Sequence, residues 1–458
     1  MTARDATQGL TGALARACRS FQFESLPPDV IFLGKQCVLD WIGVALAGSG
    51  QPLAEILRAQ VLEDGGAPQA TLVGSGEAVS ASQAALVNGA AAHALDFDDV
   101  IGGMGHPTVP VLPALLAMAE RDGRNGRDLL TAFVAGVEME TRIGAFGMAS
   151  HYAKGFHSTG TLGTFGAAAG CAHLLGLDEE QWLRALGIAG TQAAGLKSMF
   201  GTMCKPLHAG KAAQNGLFAA SLAARGYTAN PAVLETDQGF AATQVPEPKA
   251  ERALDGLGES YAIRTVLFKY HAACYGTHET IENMLALKAA HDIRPEDIEA
   301  IELRVPESNL AMCNIQEPET ALEGKFSMRF TAAMALADGD LSEQAFTDER
   351  VNDPRFVVLR DRVSVGSHPA GHPGRGTEAT IRLRDGTVLR HEVDLFIPAT
   401  DLERQWQRLE AKFRSLAEPL LGPNRTDAIV RTVQSLESLN DAGQLAGASV
   451  AAARKVAV

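Results

Sequence analysis

From about residue 25 to residue 262 the chain repeats one pattern: long Ala- and Leu-rich segments separated by short breaks that contain glycine or proline. Such a stretch can bury its apolar surface only as packed helices, because the apolar residues recur at helical spacing and the breaks hold helix-ending residues. PPDVIFLGKQCVLDWIGVALAG begins with prolines that suit a first helical turn and ends at Gly48, a C-cap candidate. SASQAALVNGAAAHAL, VPVLPALLAMAERDG, RDLLTAFVAGVEMETRIG, LDEEQWLRALGIAGTQAAG and HAGKAAQNGLFAASLAARG read the same way. With Ala and Gly abundant and aromatics at 6%, these helices are expected to pack closely.

Near residue 263 the pattern changes. Period-two alternation appears in IEAIELRVP and in ATIRLRDGTVLRHEVDLF, where Asp385-Gly386 between two alternating runs signals a hairpin. Helical HETIENMLALKAAH and SMRFTAAMALADG lie between them, and DLERQWQRLEAKFRSLAEPLL and TDAIVRTVQSLESL restore the helical pattern from Asp401. The expected fold is mainly α: a large all-helical domain (1–264) with an inserted, smaller α+β lid domain (265–400), and C-terminal helices (401–458) that return to the helical domain.

Charge and cysteine usage exclude several functions. Forty basic against fifty-four acidic residues give a net charge of −14, and Lys and Arg form no cluster, which argues against nucleic acid and anionic membrane as partners. An anionic substrate would therefore need a locally cationic site. Six cysteines contain no C-x-x-C pair or other metal-ligand spacing, as expected of a reduced, cytoplasmic protein. The N-terminus has no continuous apolar run of the secretory type. The segment nearest to a membrane span is read as TLGTFGAAAGCAHLLGL, and as a buried helix.

No P-loop is present, and GSGEAV at 74–79 lacks the third glycine and the βαβ setting of a dinucleotide site. The glycines at 160, 163, 166 and 170 have helix-packing spacing. More informative is what stands before three helices. His106 precedes Pro107-Thr108, His157 precedes Ser158-Thr159, and Lys205 precedes Pro206 and a helix expected from His208. Helix N-termini offer free N–H groups and partial positive charge, so three converging starts would suit a multiply charged carboxylate. Taken singly, each residue also has a structural reading. Asp96, Asp98 and Asp99 lack the alternate oxygen ligands and later Glu of a calcium loop, so no metal is expected there.

HALDFDDV with GHPT, GFHSTGTLGTFGAAAG, GTMCKPLHAGKAAQNGLFAASLAARGYT and KFSMRFTAAMALADG, in that order, resemble the MmgE/PrpD family. That family includes 2-methylcitrate dehydratase, cis-aconitate decarboxylase and iminodisuccinate epimerase, and the resemblance spans about residues 25–420. It implies a homodimer of two-domain subunits, with a helical body and a lid, and a site between them that uses neither metal nor cofactor. Carried over, the catalytic residues would be His106 and His157 as the acid–base pair, Lys205 as a carboxylate anchor, and Asp96 as an orienting partner for one histidine. Lys269, His208, Arg329 and Cys274 would bind substrate, while His93, Asp98 and Asp99 fall to structural roles. Val100 replaces a common Thr, and Cys274 and Phe330 stand where decarboxylase-like members carry His and Tyr. The expected activity is dehydration of a branched hydroxy di- or tricarboxylate of the 2-methylcitrate type. The alternative is epimerisation of a substituted succinate; decarboxylation of cis-aconitate and a non-catalytic carboxylate-binding scaffold are less favoured.

Overall fold

The computed structural model describes residues 9–372 and 375–451. They divide into two units, one running to Phe268 and resuming at Thr400, the other comprising Lys269–Ala399. The sequence boundaries at 264/265 and 400/401 lie within four residues of these.

Numbering the helices of ten or more residues in chain order, the first unit contains α1 (Leu10–Arg19), α2 (Pro28–Gly48), α3 (Pro52–Asp64), α4 (Ala81–Ala92), α5 (Thr108–Asp122), α6 (Gly126–Ala153), α7 (Ser158–Leu174), α8 (Glu179–Gly190), α9 (Cys204–Ala224), α12 (Leu402–Leu421) and α13 (Pro423–Gln434). It is not wholly helical. Two two-residue ladders, β1 (Ala70–Thr71) with β2 (Ala78–Val79) and β3 (Val100–Ile101) with β4 (Val266–Leu267), tie its loops together.

The helix starts and stops follow from local chemistry. Ser80 and Asp178 form capping boxes with Gln83 and Gln181 at the starts of α4 and α8. Gly123, at φ 65°, ends α5 in the left-handed conformation. α7 is buried along almost its whole length and packs on α5, α6 and α9, while α9 also packs on α4. Small residues make this possible: a Cβ on Gly89 of α4 would lie 2.9 Å from the Cα of Gly210 of α9, so the two backbones meet directly.

Among the described residues, the helix long and apolar enough to cross a membrane is α2, not the 161–177 segment. Most of its apolar window, 83%, is buried inside the unit, and it carries Gln36 and Asp40 into the core. Both polar groups meet α12. Gln36 donates to the Leu402 carbonyl at 2.9 Å, and Asp40 pairs with Lys412 at 2.6 Å.

The second unit packs α10 (Tyr275–Ala290) and α11 (Met328–Ala337) with a four-stranded sheet ordered β6-β5-β7-β8. These strands are β5 (Ile298–Val305), β6 (Val363–Ser367), β7 (Thr377–Leu383) and β8 (Val388–Val393). β7 and β8 form the hairpin expected at Asp385-Gly386, with Gly386 at φ 90° and the Asp385 carboxylate accepting from the Thr387 amide. Along β5 the core positions Ile298, Ile301, Leu303 and Val305 are buried, whereas β8 is mostly exposed, as befits an edge strand. β6, paired in parallel with β5, is not foreseen by the sequence reading.

Candidate active site

The segment His93–Thr108 joins α4 to α5 and carries most of the polar chemistry of the first unit. α4 ends at Ala92, and the chain turns sharply at Asp96, one of two non-glycine residues at positive φ (51°) among the described residues. Aspartate tolerates this conformation better than most residues. The turn separates neighbouring carboxylates. Asp96 is left partly exposed, whereas Asp98 and Asp99 are buried. β3 then pairs with β4, and glycines at 103 and 105 bring the chain back to His106.

The three helix starts converge here. His106 precedes α5, His157 is itself the N-cap residue of α7, and Lys205 lies in the first turn of α9, which begins at Cys204, four residues earlier than expected. Thr159 does not cap α7 with its side chain; its hydroxyl accepts the His106 amide at 3.2 Å, linking two of the starts.

From one end, Lys205 Nζ lies 2.7 Å from Asp96 Oδ1, which lies 3.5 Å from His106 Nε2. His106 Nδ1 is 2.8 Å from Asp98 Oδ2, close enough for an ion pair though not aligned as a hydrogen bond. The other Asp98 oxygen accepts from His93 Nδ1 at 2.9 Å. The His93 ring centroid is 4.5 Å from that of His106 and 6.1 Å from that of His157. His157 in turn meets His208 through their Nδ1 atoms at 3.0 Å and packs edge-on against Phe200.

Asp98 thus lies against both His93 and His106, beside Asp96, the orienting partner that the resemblance implies for one histidine. Asp96 itself sits between Lys205 and the outer edge of His106. His93 also belongs to the array, although the sequence reading leaves it structural. An ionised carboxylate only accepts hydrogen bonds, so Asp98 fixes the His93 ring with Nδ1–H turned inward, while Nδ1 of His106 lies beside its other oxygen.

Burial shapes the charges. Alone it would raise the Asp98 carboxyl, but His106 and His93 outweigh it and hold Asp98 well below its ordinary range. Burial pushes His93 down to about 4 despite Asp98, and pushes His157 far below the usual imidazole range, helped by repulsion from His93 and Lys205. His157 is neutral at pH 7. Asp99 is pushed up to about 8 by burial and by Asp40, and its carboxyl holds the start of α5 by accepting from the Thr108 hydroxyl at 2.5 Å. Its role is structural, as the sequence reading has it.

His93, Asp96, Asp98 and His106 offer one ligand atom each, all within 4.8 Å of one another, a donor set that a divalent metal accepts. Lys205 places an ammonium directly against Asp96, where it would repel such an ion. The contact favours the metal-free reading. A second donor set, His368, His372 and Glu378, lies in the other unit.

The remaining sequence candidates belong to the second unit. Lys269 is buried and lies near His278. Cys274 caps α10 and points its thiol at Met312, 3.4 Å away. Arg329, in the first turn of α11, is half-buried and donates to Asn314 Oδ1 at 2.6 Å, so its guanidinium is already engaged. Phe330 is fully buried against Phe346 and Phe356, so packing explains an aromatic there.

Comparisons with known proteins cover most of the chain. Residues 12–253 match the MmgE/PrpD N-terminal domain and residues 271–438 the MmgE/PrpD C-terminal domain, a wider span than the motifs alone cover. The chain is 29% identical to cis-aconitate decarboxylase of Homo sapiens, covering 96% of this chain and 94% of that protein. It is 28% identical to cis-aconitate decarboxylase of Aspergillus terreus, covering 96% of each. It is 26% identical to the mitochondrial 2-methylcitrate dehydratase of Yarrowia lipolytica, covering 84% of this chain and 79% of that protein.

Proposed function

The chain belongs to the MmgE/PrpD family, and from that premise we propose that it is a metal-independent lyase that dehydrates a branched hydroxy di- or tricarboxylate of the 2-methylcitrate type. The observation that carries the reading is a buried, neutral His157 within one array with His106 and the Lys205 ammonium. Removing a proton next to a carboxylate needs a base that is unprotonated at neutral pH, and a burial-depressed imidazole meets that need. Expelling hydroxide needs an acid on the same substrate, and the carboxylate needs a fixed cation while negative charge grows on it. The second imidazole supplies the acid, and Lys205 supplies the cation. Which histidine takes which part depends on the face the substrate presents.

Decarboxylation of cis-aconitate is the second reading, favoured by the relatives of that name that match nearly the whole chain. Cys274, in place of the histidine of decarboxylase-like members, counts against it. Phe330 counts for less, since packing accounts for the ring.

The test is a panel of hydroxy and amino di- and tricarboxylates, with cis-aconitate, incubated in deuterated water and followed by proton NMR. Dehydration yields an alkene without loss of carbon. Release of carbon dioxide supports the second reading, and deuterium entering recovered substrate without alkene indicates an epimerase. His157→Ala is expected to abolish whichever activity is found. Turnover unchanged in that variant would overturn the proposal.

A further inference from the structure

We propose that His208 is a positioning residue that sets the tautomer of His157 and carries its proton to solvent. This rests on the acid–base role given to His157 above. The two Nδ1 atoms lie 3.0 Å apart, a distance at which two ring nitrogens share a hydrogen bond only if one carries a proton and the other a lone pair. Because Nδ1 of His157 is engaged in this way, Nε2 is the nitrogen left to act on a substrate.

The bridge couples the ends of both rings. With the shared proton on His157, its Nε2 holds a lone pair and is a base. With the shared proton on His208, the remaining proton of His157 is on Nε2, which is then an acid. Suppose that Nε2 of His157 takes a proton from a substrate carbon. The Nδ1–H of His157 then passes its proton to Nδ1 of His208, and His208 releases the proton on its own Nε2 to water. One proton leaves the carbon and one reaches solvent, and both imidazoles end neutral, in exchanged tautomers. The reverse transfer resets the pair: His208 takes a proton from water on Nε2, its Nδ1–H returns to Nδ1 of His157, and His157 gives the proton on its Nε2 to the departing hydroxide.

The surroundings favour this route. His157 is buried, so its ring cannot trade protons with bulk water directly, whereas His208 is only partly buried. Burial lowers both imidazoles, with Lys205 adding to the effect on His208, so the bridge joins two neutral rings. The backbone is built to let the rings meet. The His157 amide donates to the Gly195 carbonyl at 3.0 Å. A Cβ on Gly160 would lie 3.2 Å from the His208 Cβ and 2.5 Å from the Ala194 carbonyl oxygen, so a bare backbone is needed where α7 passes α9.

Nitrogen-15 NMR on histidine-labelled full-length protein without substrate tests the bridge independently of any activity. One of the two rings should be protonated at Nδ1 and the other at Nε2, with a hydrogen-bonded proton shared between them. His208→Asn should move His157 to a different tautomer balance while the fold is retained. Both rings found as Nε2–H, with no shared proton, would overturn the proposal. In steady-state assays on the substrate identified above, His208→Ala should lower kcat by about 10²-fold with KM little changed, and added imidazole should restore part of it. An unchanged kcat would overturn the relay as well. If no carboxylate is turned over, the functional reading fails on its own and the NMR result still decides the bridge.

Discussion

Asp98 sets one buried carboxylate against two imidazoles, and a single amide cannot replace it. Asn has one acceptor and one donor end, so Nδ1 of either His93 or His106 would face an N–H in place of a carboxylate oxygen. Asp98→Asn is expected to lower kcat by about 10²-fold with little change in KM, because orientation is lost rather than substrate binding. A kcat within about threefold of the parent would show that Asp98 merely packs. The neighbouring carboxyl has a different signature. Asp99 titrates near 8 when folded, against an ordinary carboxyl value of about 4 when unfolded. Between those values the folded protein holds a proton that the unfolded chain has released, so stability falls as pH rises through the window and levels off above it. Asp99→Asn removes this slope while keeping an acceptor for Thr108. In urea unfolding at about pH 5 and about pH 8, the variant should gain on the parent by on the order of a few kcal/mol at the higher pH; parallel losses in both proteins would refute the assignment. Of this chemistry, His106, His157 and Lys205 were legible because each stands at a helix start. Asp98 and His93 were not, since nothing in HALDFDD says which carboxylate turns inward. That is decided by the left-handed turn at Asp96, a conformation fixed by tertiary contacts.

The site is assembled by the starts of α5, α7 and α9, and its accuracy depends on how the loop before α5 lies against α7. Gly105 lies close against the start of α7. Its φ is 128°, and a Cβ there would fall 2.9 Å from the Thr159 hydroxyl that accepts the His106 amide. Gly105→Ala is expected to cost about 1–3 kcal/mol and to lower kcat/KM by displacing His106. Thermal unfolding and steady-state kinetics check the two effects separately, and a variant with parental values in both would mean that the loop adapts freely. At this scale most of the fold was readable, because long apolar periodicity leaves a helix few alternatives. The boundaries were less so. α9 starts at Cys204 because Pro206 is tolerated in a first turn, and α6 continues past Gly144 to Ala153 through a distorted Gly147. The missed strand β6 is five residues long, and its partner β5 lies far back in the chain, so no local signal announces the parallel pairing.

The first unit is built from two separated lengths of chain, and the returning segment supports the site directly. Lys412 of α12 is buried, pairs with Asp40 of α2 at 2.6 Å, and donates to the Phe97 carbonyl, also at 2.6 Å. Phe97 lies between Asp96 and Asp98, so an ammonium arriving more than 300 residues later fixes the backbone from which both carboxylates project. Removing that cation strands the Asp40 carboxylate in the interior near the protonated Asp99. Lys412→Met should therefore cost about 3–5 kcal/mol in denaturant unfolding, the penalty for breaking a buried pair from one side. Neutralising the partner as well, in Lys412→Met with Asp40→Asn, removes the stranded charge, and most of the stability should return. Activity should not return with it, because the Phe97 carbonyl still lacks its donor and the turn at Asp96 is no longer held. Stability and kcat thus separate in the double variant. Recovery of both would mean that Lys412 serves only to balance Asp40, and that the loop keeps its shape without help from the C-terminal helix.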